Sequence, residues 1–144
     1  MPVFVDTNVL VYARDRSDQG KQARAMEWMR HLWKTGEGRL SVQVLHEFYV
    51  TVTRKLDPGL PPGIARADIR DLAAWHPVPL EVPALEIAWS VEDRFGLSFW
   101  DALIVAAAHV AACEVLLTED LQHGMDLDGV RVLDPFRTPV NDLA

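Results

Sequence analysis

Short apolar runs that alternate with helix patterns constrain the fold of this chain more than any other feature. Four runs have the length and composition of buried strands: residues 2–5, 39–42, 114–117 and 130–133. Between them, apolar residues recur at spacings of three and four, as at Met26, Met29 and Trp33, which indicates helices with one apolar face. The alternation predicts an α/β protein with a mostly parallel sheet that helices cover on both faces.

The length and composition indicate one globular domain. The 144 residues suffice for one proper core, and 49% hydrophobic with 24% charged residues is ordinary for a soluble protein. We expect a single domain over residues 1–144, with residues 137–144 as a frayed tail. The longest apolar stretch, Ala102–Ala108, is too short to cross a bilayer, and no secretion leader opens the chain. We therefore expect a cytoplasmic protein without a membrane partner.

The charge balance is acidic, with 14 Lys and Arg against 21 Asp and Glu, a net charge of −7. This argues against a nucleic-acid partner, because such binding depends on neutralising phosphates. Two bound divalent cations would offset the charge of four acids, and the site that holds them would then attract phosphate instead of repelling it. The balance also suits a basic protein partner. A single cysteine, Cys113, excludes an internal disulfide and a cysteine metal cluster.

Four acidic residues occupy positions that an α/β fold brings to one edge of its sheet. Asp6 ends the first apolar run, and Asp120 follows the run at 114–117. Glu47 lies beside the apolar stripe of the helix after the second run, and Asp101 opens a helix that is apolar on all sides. Since ligands bind outside the carboxyl ends of parallel strands, we expect these carboxylates to converge there.

Each acid also has a plainer explanation when it is considered alone. Asp6 and Asp101 suit helix capping, the latter in a capping box that begins at Ser98. Glu47 could be a solvated residue, and its neighbour His46 lacks the second histidine that a zinc protease pattern requires. Glu119 competes with Asp120, which we prefer because Glu119 should point away in an extended exit from the strand. Together, the four predict a site for hard divalent cations.

Such a site suits one reaction in particular. Two Mg²⁺ ions held roughly 3.5–4 Å apart favour in-line attack on a phosphodiester. One ion lowers the pKa of a water molecule to make the nucleophile, and the other stabilises the leaving oxygen. Mn²⁺ would serve as well, because oxygen ligands suit both ions.

The acids stand within four motifs that run in order along nearly the whole chain. These motifs are Val5-Asp6-Thr7-Asn8, the stretch Ser41–Glu47, Ser98-Phe99-Trp100-Asp101-Ala102 with its apolar helix, and Leu117-Thr118-Glu119-Asp120. In this series the chain resembles the PIN-domain nucleases, especially the small VapC-type ribonuclease toxins of bacterial toxin–antitoxin pairs.

The resemblance implies a three-layer α/β/α fold with a mostly parallel sheet of four to five strands. It implies RNA cleavage that depends on Mg²⁺ or Mn²⁺, a frequent homodimer, and inhibition by a small antitoxin that covers the acidic cleft. The family's catalytic and metal-binding acids match Asp6, Glu47, Asp101 and Asp120. Polar positions that support the cleft match Asn8, Ser98 and Thr118.

The preferred function is a divalent-metal-dependent endoribonuclease that hydrolyses RNA through a metal-activated water and acts as the toxin of such a pair. One alternative is a phosphoaspartyl phosphatase or receiver domain, which a strand-end Asp6 would also fit. That pattern lacks a second aspartate at Asn8 and a lysine after a later strand. The other alternative is a non-catalytic RNA- or protein-binding module on the same fold.

Two further sets of residues are candidates for binding. The five tryptophans are expected mostly in apolar helix stripes, with Trp28 and Trp33 as candidates for a partner surface. The candidates for contact with RNA phosphates are the basic residues Arg14, Arg16, Lys21, Arg54 and Lys55.

Overall fold

The computed structural model describes residues 1–143, which form five strands and six α-helices. The strands are β1 (Val3–Val5), β2 (Gly38–Arg39), β3 (Val115–Leu117), β4 (Asp126–Leu127) and β5 (Val130–Leu133). The helices are α1 (Thr7–Tyr12), α2 (Gln19–Thr35), α3 (Val42–Val50), α4 (Pro62–Leu72), α5 (Val82–Phe95) and α6 (Phe99–Val110). A π-helical turn, Thr51–Lys55, extends α3, and short 3₁₀ turns span Ala73–Trp75 and Val140–Asp142.

The strands form one mostly parallel sheet, as the sequence predicts. Its order is β2-β1-β3-β5-β4, and the pairings of β1 with β2 and β3, and of β3 with β5, are parallel. The edge strand β4 pairs antiparallel with β5. In the register of β1 and β3, Val5 lies opposite Leu117. The residues that follow these two strands therefore emerge side by side at the carboxyl edge.

Both faces of the interior strand β1 are covered. Val3, Phe4 and Val5 have no exposed surface, and successive residues of a strand point to opposite faces. The seven residues of α6 from Ala102 to Ala108 are also buried, which confirms the predicted apolar helix. β1 and α6 are therefore anchored in the core. Asp6 directly follows β1, and Asp101 lies in the first turn of α6.

Helix ends agree with the sequence signals in most places. Asp18 caps α2 by accepting a hydrogen bond from the backbone N–H of Lys21, and Gly36 ends that helix in the left-handed region. The predicted strand at 39–42 is displaced, because Ser41 already caps α3 with a bond from Val44 N–H (3.2 Å). The two-residue β4 is too short to produce a sequence pattern.

The C-terminal tail, which the sequence analysis expects to fray, contacts helix α2. The buried Trp28 indole donates a hydrogen bond to the carbonyl of Thr138 (3.1 Å), and Arg24 donates one to the carbonyl of Pro135 (3.1 Å). Residue 144 lies outside the described residues, so fraying of the very end stays a prediction. Among the helices of residues 1–143, none combines the length and apolarity needed to span a bilayer.

We predict that Gly38→Ala destabilises the fold. A Cβ atom at Gly38 would lie 2.7 Å from ring carbons of the buried Trp75, so the packed ring would have to move. Overpacking of this kind typically lowers the free energy of unfolding by about 1–3 kcal/mol. Urea denaturation would measure the change. The control is Gly63→Ala, where nothing lies within 4 Å of the added methyl group; equal midpoints for the two variants would contradict the prediction.

Candidate active site

The structure brings the predicted acids to the carboxyl edge of the sheet. Asp6 and Asp120 follow the adjacent strands β1 and β3, and the amide of Asn8 donates to both carboxylates, at 3.3 Å and 3.0 Å respectively. Glu47 reaches the same edge from α3, where it accepts a hydrogen bond from the hydroxyl of Thr7 (2.8 Å). Asp6 and Asp120, which lie more than a hundred residues apart in sequence, are thus linked through the single side chain of Asn8.

Asp6 is the buried member of the set, with 6% of its surface exposed. One carboxylate oxygen accepts from the Thr7 backbone N–H (2.7 Å), which caps α1, and the other accepts from the Thr118 hydroxyl (2.8 Å). Burial raises the pKa of Asp6 from 3.8 to about 7, against these two hydrogen bonds, and the charges of Asp120 and Glu47 raise it further. Asp6 therefore caps α1 and also belongs to the candidate site.

Thr118 links Asp6 to Asp120. It has no exposed surface, and its hydroxyl also accepts hydrogen bonds from the Asn8 amide (3.0 Å) and the Asp120 backbone N–H (3.1 Å). The turn after β3 is therefore closed by the same hydroxyl that orients Asp6. Asn8 and Thr118 hold the two strand-end carboxylates in a fixed relation to each other.

Glu47 is oriented by two polar neighbours. Besides Thr7, it accepts a hydrogen bond from the side-chain amide of Gln43 (2.9 Å), which lies one helical turn earlier on α3. Gln43 is not among the residues predicted from the sequence. Its spacing of four residues from Glu47, which places both on one helix face, is the signal that could have identified it.

Asp101 occupies the third position of α6, as the capping pattern predicts. Its backbone N–H donates to the hydroxyl of Ser98 (3.2 Å) at the N-terminus of the buried helix. The charge of Asp101 contributes to the raised pKa of Asp120, for which burial is the largest cause and which the Asn8 hydrogen bond opposes. The two carboxylates are thus within electrostatic reach of each other.

Glu119 and Asp120 point to different partners. Lys21 forms an ion pair with Glu119 (2.8 Å), and this contact is the main cause of the raised pKa of Lys21. Asp120 instead joins the Asn8 and Thr118 network. The geometry therefore favours Asp120 as the fourth acid of the site.

The donor chemistry of the site fits a divalent cation. Within the described residues, none of the ion pairs involves Asp6, Glu47, Asp101 or Asp120. Over the same range, no three His, Cys, Asp or Glu side chains form a ready-made ligand set. Mg²⁺ usually retains several waters and binds through one or two carboxylates. The fit therefore rests on carboxylates whose charge no cationic side chain of the described residues neutralises.

An open pocket of about 670 Å³ is lined by two of these acids, Glu47 and Asp120, and we call it the acidic pocket. Its lining residues are Thr7, Asn8, Val11, Tyr12, Asp15, Glu47, Thr51, Lys55, Trp100, Glu119 and Asp120. A second pocket of about 350 Å³, between α1, α2, α3 and α4, contains none of the four acids. The chemistry of the first pocket makes it the candidate active site.

The predicted RNA-binding cations divide into paired and unpaired groups. Arg14 forms an ion pair with Asp68 (2.6 Å), and Lys21 is held by Glu119. Lys55, at the end of the π-helical turn, is exposed and lines the acidic pocket, which Arg16 and Arg54 do not. Lys55 is thus the best placed of the five for contact with a phosphate in the pocket.

The tryptophans do not all lie in apolar stripes. Trp28 and Trp75 are buried, so the expectation that Trp28 contributes to a partner surface is wrong, whereas Trp33 and Trp89 are 43% and 42% exposed. Trp100 is 64% exposed and lines the acidic pocket, so it does not lie in a buried stripe. The continuously buried run of α6 begins only at Ala102, and Trp100 lies in the turn before it.

The fold and site define an α/β domain with carboxylates gathered at the carboxyl edge of a parallel sheet. The sequence pattern of the PIN domain matches residues 3–124. The chain belongs to the PIN domain family.

Solved structures of toxin–antitoxin proteins share this fold. A toxin–antitoxin complex from Klebsiella pneumoniae is 18% identical with a TM-score of 0.66, and covers 94% of this chain and 98% of its own. DNA-bound VapBC from Salmonella typhimurium is 16% identical with a TM-score of 0.64 and the same coverage. VapC20 of Mycobacterium tuberculosis, a sarcin–ricin-loop-cleaving toxin, is 22% identical with a TM-score of 0.60, covering 79% and 86%. A comparison with curated proteins finds no significant match.

The raised pKa of Asp6 predicts how stability depends on pH without a metal. The folded state binds this proton more tightly than the unfolded state, so the free energy of unfolding should fall as pH rises from about 4 to about 7. The contribution of one such group is at most about 1.4 kcal/mol per pH unit. Urea denaturation in EDTA should therefore show a flatter pH dependence for Asp6→Asn than for the wild type.

The control for this prediction is Asp93→Asn, which changes an exposed aspartate on α5. It should keep the wild-type pH dependence. A wild-type slope in Asp6→Asn would show that Asp6 does not titrate in this range.

Proposed function

We propose that this protein is a divalent-metal-dependent endoribonuclease and the toxin of a toxin–antitoxin pair. The observation that carries the proposal is an open pocket lined by Glu47 and Asp120, with Asp6 linked to Asp120 through Asn8 and Asp101 within electrostatic reach of Asp120. None of these four acids is paired with a cation in the described residues. Membership of the PIN domain family supports a nuclease activity. The similarity to VapC20 supports RNA as the substrate, although at 22% identity the likeness itself concerns the fold.

Asp6, Glu47, Asp101 and Asp120 would hold Mg²⁺ or Mn²⁺. A bound ion would offset the negative charge of the site and the phosphate, and would lower the pKa of the attacking water. The chain's own polar residues keep the carboxylates in place. Thr118 and Asn8 orient Asp6 and Asp120, while Thr7 and Gln43 orient Glu47.

The burial of Asp6 makes cation binding depend on pH. With a pKa of about 7 in the absence of metal, this carboxyl group is partly protonated near neutrality. A cation must displace that proton, so its affinity should rise as pH increases through this range. Hydrogen bonds from Thr118 and the Thr7 backbone already favour the ionised form and reduce the cost.

A small antitoxin is the proposed protein partner. Two of the similar structures are described as a toxin–antitoxin complex and as DNA-bound VapBC. The net charge of −7 and the acidic pocket favour a partner segment with basic side chains that covers the site. We further propose a single-domain, cytoplasmic protein that forms homodimers.

Phosphoaspartyl chemistry at Asp6 has less support. Its carboxylate contacts are made by Thr7, Asn8 and Thr118, and no lysine in the described residues bonds to it.

We predict that Asp6→Asn abolishes RNA cleavage that requires Mg²⁺ or Mn²⁺. Changes in residues that merely support metal ligands typically cost about 10–100-fold, so loss of a ligand should exceed that. Cleavage of single-stranded RNA, assayed with added metal and with EDTA, would measure the effect, and calorimetric titration with Mn²⁺ would report binding directly. Asp93→Asn is the matched control with full activity. Wild-type cleavage by Asp6→Asn, or in EDTA, would refute the proposal.

We predict different outcomes for the two adjacent acids. Asp120→Asn should weaken Mn²⁺ binding and reduce cleavage at least about 10-fold, because its carboxylate belongs to the central network. Glu119→Gln should retain most activity, because it removes an ion pair with Lys21 at the pocket edge. Calorimetry and cleavage rates for both variants would decide. The reverse ranking would assign the fourth position to Glu119.

A further inference from the structure

Trp100 is a large aromatic side chain that the fold leaves in water beside the candidate active site. It is 64% exposed and lies between Phe99 and Asp101 in the first turn of α6. Its neighbours around the acidic pocket include Asn8, Glu47 and Asp120. Tryptophan is enriched at binding interfaces, because its large apolar surface gains free energy when it is covered.

The Trp100 ring has an aromatic neighbour in the same helical turn. It packs against the ring of Phe99 with centroids 5.3 Å apart and an interplanar angle of 72°. Phe99 in turn packs against the hydrophobic core. This edge-to-face contact restricts the position of the indole while most of its surface stays open to the pocket.

The charge of the pocket limits how RNA can be bound there. Four lining residues are acidic, Asp15, Glu47, Glu119 and Asp120, and Lys55 is the cation among the lining residues that the structure describes. Contacts to phosphates therefore supply little of the affinity. Stacking of a base on an aromatic ring does not need a positive charge, and it requires a base that is free of its partner strand.

We propose that Trp100 is the stacking platform for one unpaired nucleobase next to the scissile phosphate, with Lys55 as a phosphate contact in the same pocket. The inference rests on the proposed nuclease function and adds the single-stranded character of the substrate at that position. Trp100 thus acts on substrate binding, while the four carboxylates act on the phosphate. A tryptophan that anchored a partner protein would have the same exposure but would not respond to the removal of one base.

The test is a double-mutant cycle between protein and RNA. The substrates are a single-stranded oligoribonucleotide that the wild type cleaves, and a series in which each nucleotide near the cleavage site is made abasic in turn. Trp100→Ala should lower kcat/KM about 5- to 100-fold on the intact RNA, mainly through KM. At one abasic position the wild type should lose as much, and Trp100→Ala should lose nothing more. Trp100→Phe, which keeps an aromatic face, should recover most of the loss.

Two controls separate stacking from a structural effect. Trp89→Ala removes another partly exposed tryptophan, on α5 and outside the acidic pocket, and should cleave like the wild type. Unchanged urea midpoints and Mn²⁺ affinity in Trp100→Ala would show that the fold and the carboxylates are intact.

The possible failures are distinguishable. A wild type that cleaves no RNA refutes the nuclease function and this inference together. Wild-type cleavage with normal kinetics for Trp100→Ala, or a loss that is the same at every abasic position, overturns the stacking role alone. Normal cleavage by Trp100→Ala with loss of binding to a purified antitoxin would assign the residue to the protein partner instead.

Discussion

The placement of a carboxylate, Asp6, inside the protein at the end of the interior strand β1 governs the rest of the site. Burial raises its pKa to about 7, so an ionised Asp6 is costly near neutral pH. The surroundings reduce that cost with donors from two sequence-distant segments, the first turn of α1 and Thr118 after β3. These donors meet because β1 and β3 are parallel neighbours with Val5 opposite Leu117. The sheet register therefore sets the geometry of the site before any cation binds.

Neutral hydrogen-bond donors of the protein hold the carboxylates in place despite their mutual repulsion. Asn8 donates to Asp6 and Asp120 at once, and Thr7 contributes its N–H to Asp6 and its hydroxyl to Glu47. Each of these residues therefore holds two acids apart at hydrogen-bonding distance. Neutral donors orient the carboxylates without cancelling their charge, which an arginine or lysine would do. A site built in this way retains its attraction for divalent cations.

Much of the site could be predicted from sequence because it depends on chain-local patterns. Asp6 and Asp120 follow apolar runs, and Asp101 follows a capping serine, so position along an element sufficed for them. The edge strand β4 has two residues and makes no pattern. The exposure of Trp100 was not predicted because it depends on which face of α6 is covered, and that is a property of tertiary packing. Gln43 was not predicted because it contributes to the site through a hydrogen bond to Glu47, which the sequence does not show.

The same acidity that attracts cations shapes what else the pocket accepts. A polyanion approaching the metal-free protein meets the charges of Glu47, Glu119 and Asp120, with Lys55 as a single opposing charge among the described lining residues. Under the proposed function, RNA would therefore depend on bound cations and on a neutral contact such as the Trp100 face, whereas a basic peptide would be attracted by the carboxylates themselves. Because a basic segment and divalent cations compensate the same charges, each weakens the other's binding. An inhibitor could therefore act on this site by replacing the cations' charge, without any rearrangement of the fold.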